Sequence, residues 1–307
     1  MILNASGCLD ALTAPEVAQT LDAFVTKTVT PLPRPGNEPV RIAETEVGML
    51  NSIGLANPGL ERFLTDVLPR LADLRLPLWV SVGGFSADEY ARSCAALDGR
   101  EEIAALELNL SCPNVDEAPE TAAEIVAACR AATSTSLFAK LSPATSDLAG
   151  TARAVEAAGA DGISLVNTIR GLTLDERTLA PKLGRAVGGL SGPALKPIAL
   201  AAVFLCARAT ALPIVGMGGV SNGRDALELL AAGASAIALG TVLFSDPSAP
   251  GRIRTELTQE LAKRGLSDLK DSIGIAHAEA LNGRQNLNWS LRVAGTKYLD
   301  FAGKARV

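Results

Sequence analysis

The stretch Glu107-Leu-Asn-Leu-Ser-Cys-Pro-Asn-Val115 gathers the residues of this chain best suited to chemistry. It begins as the end of an apolar strand, Ala104–Leu110, and breaks into a proline-containing loop at Ser111. Asn109, Ser111, Cys112 and Asn114 therefore stand together at a strand's C-terminal end. Pro113 fixes its own φ and restricts Cys112 before it, so a stiff backbone aims the thiol. A thiol can act as a nucleophile or as a proton acceptor, and its ordinary pKa of roughly 8.5 suits a base working near neutrality. A lone Cys-Pro is more often a half-buried thiol beside a turn, because free cysteine packs as a small hydrophobe. The surroundings of Cys112 decide between the two.

Those surroundings follow from a regular alternation of short strand-like runs with Ala-rich amphipathic stretches. Strands are expected at Ile2–Ala5, Ala23–Thr28, Leu78–Gly83, Ala104–Leu110, Leu137–Leu141, Gly162–Val166, Pro213–Gly216 and Ala236–Leu239. Helices are expected near Ala14–Leu21, Leu60–Leu71, Ala87–Leu97, Glu120–Ala132, Leu148–Ala158, Pro193–Ala207, Arg224–Ala232 and Arg252–Arg264, with Ser267–Ile275 as a short closing helix. Eight strands in βα alternation predict an α/β fold, a single (β/α)8 TIM barrel of parallel strands. The whole chain, 1–307, reads as one domain, with the barrel over about 1–275 and a polar tail over about 276–307.

In such a barrel the loops after the strands carry function. The first strand ends in Ala5-Ser6-Gly7, small enough for backbone to approach a flat ligand. The second ends in Lys27-Thr28-Val29-Thr30; a lysine in an apolar run is costly to bury without a polar partner, so Lys27 is read as pointing into the site rather than snorkelling. Lys140 repeats the pattern at the end of the fifth strand. Asn51, Asn109 and Asn167 join the two lysines in an amide-rich cup suited to a flat heterocycle of alternating donors and acceptors. Asn51 belongs to the long connection from Pro31 to Gly59, which has no clear periodicity and is expected to lie across the barrel mouth. Arg34 and Arg41 in the same connection read as surface or subunit-contact residues. Three glycine clusters, Gly188–Gly192, Gly216–Gly219 and Gly240-Thr241, together form a phosphate signal, the last two at the strand ends where barrels often hold one.

Composition narrows the partners. The chain has 307 residues, 48% of them hydrophobic but only 4% aromatic, so its core is built from Ala, Leu, Val and Ile. A net charge of −5 and a pI near 5.1 argue against nucleic acid as a partner. No apolar run reaches the roughly 18 residues of a membrane span, and the N-terminus carries no secretion signal. Five cysteines without a Cys-x-x-Cys pair suit reduced thiols in a cytoplasm. With His277 the only histidine, neither a histidine triad nor a metal centre is expected.

These motifs, in this order from Asn4 to about Gly274, resemble the class 1 dihydroorotate dehydrogenases, FMN-containing barrels of pyrimidine synthesis. The specific matches are Asn4–Gly7, Lys27–Thr30, Asn51–Leu55, Asn109–Asn114, Lys140-Leu141, Val166–Thr168, Gly188–Gly192, Gly216–Gly219 and Gly240-Thr241. The resemblance implies that (S)-dihydroorotate is oxidised to orotate, with Cys112 removing the C5 proton and the C6 hydride passing to N5 of FMN. It implies that Ala5, Ser6, Gly7, Lys27, Thr28, Asn51, Asn109, Lys140 and Val166 contact the flavin, and that Gly192, Gly218, Gly219, Gly240 and Thr241 hold its phosphate. Lys140 would face the N1/O2 edge, where charge gathers on reduction. Lys27, Asn51, Ile53, Gly54, Leu55, Asn109, Asn114, Asn167 and Thr168 would contact the substrate. The membrane-linked second class has serine at the Cys112 position, which favours class 1. A homodimer is the family default, and an iron–sulfur flavoprotein subunit is the expected partner if the acceptor is NAD. Lys27–Thr30, Gly188–Lys196 and Asn51–Gly59 look like the NAD-linked subclass, whereas Glu107–Asn114 and Ser81–Gly84 look more like the fumarate-using homodimers, and both stay open here. So do an FMN barrel acting on another pyrimidine, an idle flavin-binding paralogue and a non-redox phosphate-binding barrel. The sequence departs from the family in a shortened loop after Asn114, an almost absent hairpin before Asn4 and a tail beyond His277 with no counterpart.

Overall fold

A computed structural model describes residues 1–110 and 121–280, together with 298–299 and 305–306. In chain order the elements begin with β1 (Ile2–Asn4), α1 (Pro15–Ala18), β2 (Phe24–Val25), β3 (Ile42–Thr45) and β4 (Gly48–Asn51). The helix α2 (Leu60–Arg62) continues through a π-helical turn at Phe63–Val67 into α3 (Leu68–Ala72). Then follow β5 (Leu78–Val82), α4 (Ala87–Leu97), β6 (Ile103–Asn109), α5 (Ala122–Ala132), β7 (Leu137–Leu141), α6 (Leu148–Ala157) and β8 (Gly162–Leu165). The second half comprises β9 (Ile169–Leu172), β10 (Val187–Ser191), α7 (Lys196–Ala209), β11 (Ile214–Met217), α8 (Gly223–Ala231), β12 (Ala236–Leu239), α9 (Val242–Ser245), α10 (Ala249–Ala262) and α11 (Ile275–Ala280).

The eight strands expected from the sequence form one sheet in the order β1-β12-β11-β8-β7-β6-β5-β2. Every pair in it is parallel, and a Leu3–Ala23 bridge joins its two edge strands into a barrel. β5, β7, β8, β11 and β12 are covered on both faces and buried throughout, and apart from Ser81, Lys140 and Ser164 they carry no polar side chain. Alternate side chains still face opposite ways: Leu106 and Leu108 of β6 join the layer against the helices, whereas Ala105 joins the barrel interior with Leu3, Val25, Trp79, Phe138 and Met217. The Trp79 and Phe138 rings meet at 4.3 Å between centroids. Gly162 makes room for them, since a Cβ there would overlap the Phe138 ring. Helix starts are fixed locally by Ser86, Asp147 and Asn222 as N-caps and by a Thr121–Glu124 capping box. No helix among the described residues is long and apolar enough to cross a membrane.

A second sheet departs from the sequence reading. β3-β4-β10-β9 form an antiparallel four-stranded layer, with Gly189 opposite Asn51 and Leu190 opposite Leu50. The connection from Pro31 to Gly59 is therefore a hairpin with ordered flanks rather than an aperiodic loop. Gly188 belongs to a strand and not to a phosphate loop: a Cβ on it would come within 2.7 Å of the Asn51 carbonyl oxygen, so close strand packing demands glycine there. Arg34 and Arg41 brace this connection from within. Arg34 donates to the Gly54 carbonyl and lies over the Phe85 ring, while Arg41 donates to the carbonyls of Pro35 and Asn37. The expected Ser267–Ile275 helix is a 3-10 turn at Leu269–Ser272 followed by α11.

Candidate active site

The C-terminal ends of the barrel strands and the second sheet enclose a cavity of about 520 Å³, within the range of about 300–1,000 Å³ common for small-molecule sites. Ala5, Ser6 and Gly7 line it after β1, and Lys27 and Thr28 after β2. Asn51, Ile53, Gly54 and Leu55 reach it from the hairpin, Asn109 from β6, Lys140 from β7, and Val166, Asn167 and Thr168 from the end of β8. Gly192, Gly218, Gly219, Gly240 and Thr241 line its other end. Thus every site residue expected from the sequence that lies among the described residues borders one cavity. Ser111, Cys112 and Asn114 lie outside the described residues.

The side-chain end is held by a chain of hydrogen bonds. Asn167 Nδ2 donates to Asn109 Oδ1 at 2.9 Å, and Asn109 Nδ2 donates to Thr28 Oγ1 at 3.2 Å. Thr28 Oγ1 also meets Ser81 Oγ at 3.0 Å and Ser6 Oγ at 3.3 Å. The Tyr90 hydroxyl donates to the Asn109 carbonyl at 2.6 Å, fixing the backbone at the end of β6. Asn51 Nδ2 donates to the Gly189 carbonyl at 3.2 Å, tying the hairpin to β10. Amides held this way keep fixed donors and acceptors, which is what recognition of a flat polar ring requires.

Both predicted lysines reach the cavity, but Lys140 has a companion that the sequence reading passed over. Its Nζ lies 3.5 Å from Glu107 Oε1, and the two side chains are only 7% and 2% exposed. Glu107 could have been found by the argument applied to Lys27, since it too is a charge inside an apolar strand. Cys8 also lines the cavity, yet burial pushes its thiol up, against the opposing pull of Lys140 and Lys27, so it stays protonated near neutrality.

The glycine end is a backbone cradle. Gly192, Gly218 and Gly219 have φ of +101°, +123° and +73°, and a Cβ on Gly219 would lie 2.8 Å from the Lys196 backbone nitrogen. Among the described residues, nothing accepts a hydrogen bond from the N–H groups of Gly218, Gly219, Gly240 and Thr241. Four unpartnered backbone donors at a cavity wall suit a phosphate. Side chains hold the cradle from outside. Ser221 N donates to Asp225 Oδ2 at 2.9 Å, while Arg252 donates to the Ser221 carbonyl at 3.2 Å from both terminal nitrogens. Lys196 Nζ donates to Asp225 at 2.6 Å, and that bond raises the Lys196 pKa above its ordinary value. Arg252 and Ser221, which also line the cavity, carried no signal in the sequence: each looks like an ordinary residue of a helix or a turn.

The family model described as "Dihydroorotate dehydrogenase" matches residues 1–261. The chain belongs to the dihydroorotate dehydrogenase family. Members oxidise dihydroorotate in pyrimidine biosynthesis, and the family in general depends on a flavin. This chain is 45% identical over 264 residues to the "Dihydroorotate dehydrogenase B (NAD(+)), catalytic subunit" of Desulforudis audaxviator, covering 84% of this chain and 86% of that one. A protein of the same name from Trichlorobacter lovleyi is 44% identical over 263 residues, 83% and 86% of the two chains. A relative from Solibacter usitatus, provisionally named dihydroorotate dehydrogenase A (fumarate), is 42% identical over 261 residues, 83% and 86% of the two chains. In fold the chain is similar to a DHODH from Eimeria tenella solved in complex with ferulenol, with a TM-score of 0.76 at 23% identity over 90% of this chain and 85% of that one. The class 1 resemblance and the parallel barrel read from the sequence agree with these relatives.

Proposed function

We propose that this chain is the catalytic barrel of a class 1 dihydroorotate dehydrogenase that binds FMN across the cavity, phosphate toward Gly192, Gly218, Gly219, Gly240 and Thr241. The observation that carries the proposal is the meeting of four unpartnered backbone donors at one end of a single cavity with Lys27, Lys140, Asn109 and Asn167 at the other. FMN, when bound, supplies an acceptor for the hydride that leaves C6 of dihydroorotate. The chain's own residues do the rest. Lys27 is the cation placed to meet the substrate carboxylate, and Asn51, Asn109, Asn167 and Thr168 are fixed donors and acceptors for the ring. Ile53, Gly54 and Leu55 of the hairpin's flank cover it, which excludes water from the reacting carbons. Cys112 takes the C5 proton onto its sulfur and Asn114 completes the substrate contacts. Ala5, Ser6, Gly7, Thr28 and Val166 pack against the flavin ring. Lys140 offers fixed positive charge where negative charge develops, which is electrostatic preorganisation.

For the acceptor we favour NAD reached through an iron–sulfur flavoprotein subunit, because the relatives from Desulforudis audaxviator and Trichlorobacter lovleyi are named as catalytic subunits of the NAD form. The relative provisionally named for fumarate supports the second reading, direct reoxidation by fumarate. The barrel would act as a homodimer in the cytoplasm.

An anaerobic visible spectrum before and after adding dihydroorotate tests the proposal. The purified protein should be yellow and should bleach. Cys112→Ser should slow bleaching by at least about tenfold near pH 7, since a hydroxyl is a much poorer base than a thiol; undiminished bleaching would remove Cys112 from the mechanism. Colourless protein that fails to take up FMN would overturn the reading. Fumarate alone reoxidising the bleached enzyme would select the second acceptor.

A further inference from the structure

Lys140 and Glu107 form an isolated pair. Among the described residues the Glu107 carboxylate has no hydrogen-bond or ion-pair partner but Lys140, and Lys140 none but Glu107. Both sit on adjacent strands, β6 and β7, where Asn109 is in register with Lys140 and Glu107 with Phe138. Lys140 borders the cavity; Glu107 lies one layer deeper, toward the apolar interior of Ala105, Trp79 and Phe138. A carboxylate at 2% exposure is costly there, and an apolar side chain would fill the layer without that cost. Its presence needs a reason beyond packing. A bare cation on the wall would act on a ligand with its full charge; with a carboxylate 3.5 Å behind it, the ligand meets a partly balanced pair, and at low dielectric the difference is large.

We propose that Glu107 is a positioning residue that tempers the charge of Lys140 and thereby lowers the reduction potential of the bound flavin; the proposal rests on the flavin reading above. An untempered Lys140 would favour the reduced flavin and hold its electrons. The pair keeps the cation aimed while leaving the reduced cofactor able to pass electrons to the acceptor.

The test is an anaerobic redox titration against a reference dye of the FMN-loaded wild type, Glu107→Gln, Lys140→Met and the double variant. Glu107→Gln should raise the ratio of reduced to oxidised flavin at a fixed electrode potential by at least about tenfold, about 30 mV upward for a two-electron couple. In the Lys140→Met background the same substitution should shift the ratio by less than about threefold, because the cation that the carboxylate tempers is gone. An unmoved potential in Glu107→Gln overturns the proposal, and so does an equal shift in both backgrounds. Should Glu107→Gln fail to fold, Glu107→Asp draws the carboxylate back by one methylene: a potential above wild type supports the role, and one equal to wild type overturns it. Wild type that takes up no FMN sinks the flavin reading itself, whereas yellow wild type with unmoved variants sinks only the role of Glu107.

Discussion

The two ends of the barrel use the same kinds of polar residue in opposite ways. At the N-terminal ends of the strands, three carboxylates are bonded to nearby chain. Asp22 accepts from Ile2 N at the start of β1 at 2.7 Å and from Arg254 at 3.0 Å. Asp98 accepts from the Thr133 hydroxyl at 2.6 Å and from Ser134 N at 2.8 Å. Asp161 accepts from Leu137 N, at the start of β7, and from Arg130, both at 2.9 Å. At the C-terminal ends, Lys27, Lys140, Asn109 and Asn167 face a shared cavity, and four backbone donors there have no partner among the described residues. A polar group saturated by its own chain contributes stability, whereas one left with bonding capacity at a cavity is available for chemistry. The strand end on which a residue stands tells the two apart.

Alanine at Gly219 should give the largest effect that separates the two ends. The residue has φ of +73°, where a side chain costs roughly 1–2 kcal/mol. An added Cβ would also press within 2.8 Å of the Lys196 backbone nitrogen and 3.0 Å of the Gly192 carbonyl oxygen. The cradle must shift, so Gly219→Ala should weaken FMN binding on the order of thirtyfold or more, as its strain and the lost phosphate contact combine. Fluorescence titration of apoprotein with FMN checks this, and unchanged affinity would show that the phosphate lies elsewhere.

The matching change at the other end is Asp98→Ala. Its carboxyl is held well below the usual carboxylate range, first by the Thr133 hydroxyl and then by the Ser134 N–H. A depressed folded-state value means that this stability is present above about pH 3.9 and is lost as pH falls through the folded value. At pH 7, Asp98→Ala should lower Tm by about 2–4 °C while leaving FMN affinity per folded molecule at the wild-type value. A loss of affinity matching that of Gly219→Ala would erase the distinction between the two ends.

How much of this was legible in the sequence follows the same division. The barrel strands stood out because parallel strands covered on both faces become unbroken apolar runs, and their polar ends named the cavity residues in advance. The second sheet did not stand out. β10 is Val-Gly-Gly-Leu-Ser, too glycine-rich to read as a strand, and its partner β4 lies in register through Gly189 and Asn51, far away in the chain. Glu107 is legible as a charge inside an apolar strand, but only the fold shows that its partner is Lys140 on the neighbouring strand. Arg252 was not visible at all: beside Asp246 and Glu256 it reads as a surface helix residue, and only the fold brings it to the Ser221 carbonyl.

The smallest expected effect tests the stability end in a different way, through proton uptake. His277 is the only histidine in the chain, and it packs against the segment that leads into β12. Its Nε2 lies 2.9 Å from the Ala232 carbonyl oxygen, and its ring stacks on Phe204 at 4.2 Å between centroids. Burial lowers its pKa; the Ala232 carbonyl opposes that shift and the Arg208 charge adds to it. A cationic group with a depressed folded-state value binds its proton more readily when unfolded, near pH 6.5. Stability should therefore begin to fall as pH drops through about 6.5 and level off below the folded-state value, at no more than about 1.4 kcal/mol per pH unit. Thermal melts between pH 5 and 8 should show a steeper decline for wild type than for His277→Gln, with FMN affinity tracking neither curve. Equal slopes in the two proteins would mean that the fold leaves the ring's proton affinity as it is in the unfolded chain, and that the buried stack on Phe204 does not disfavour a cation there.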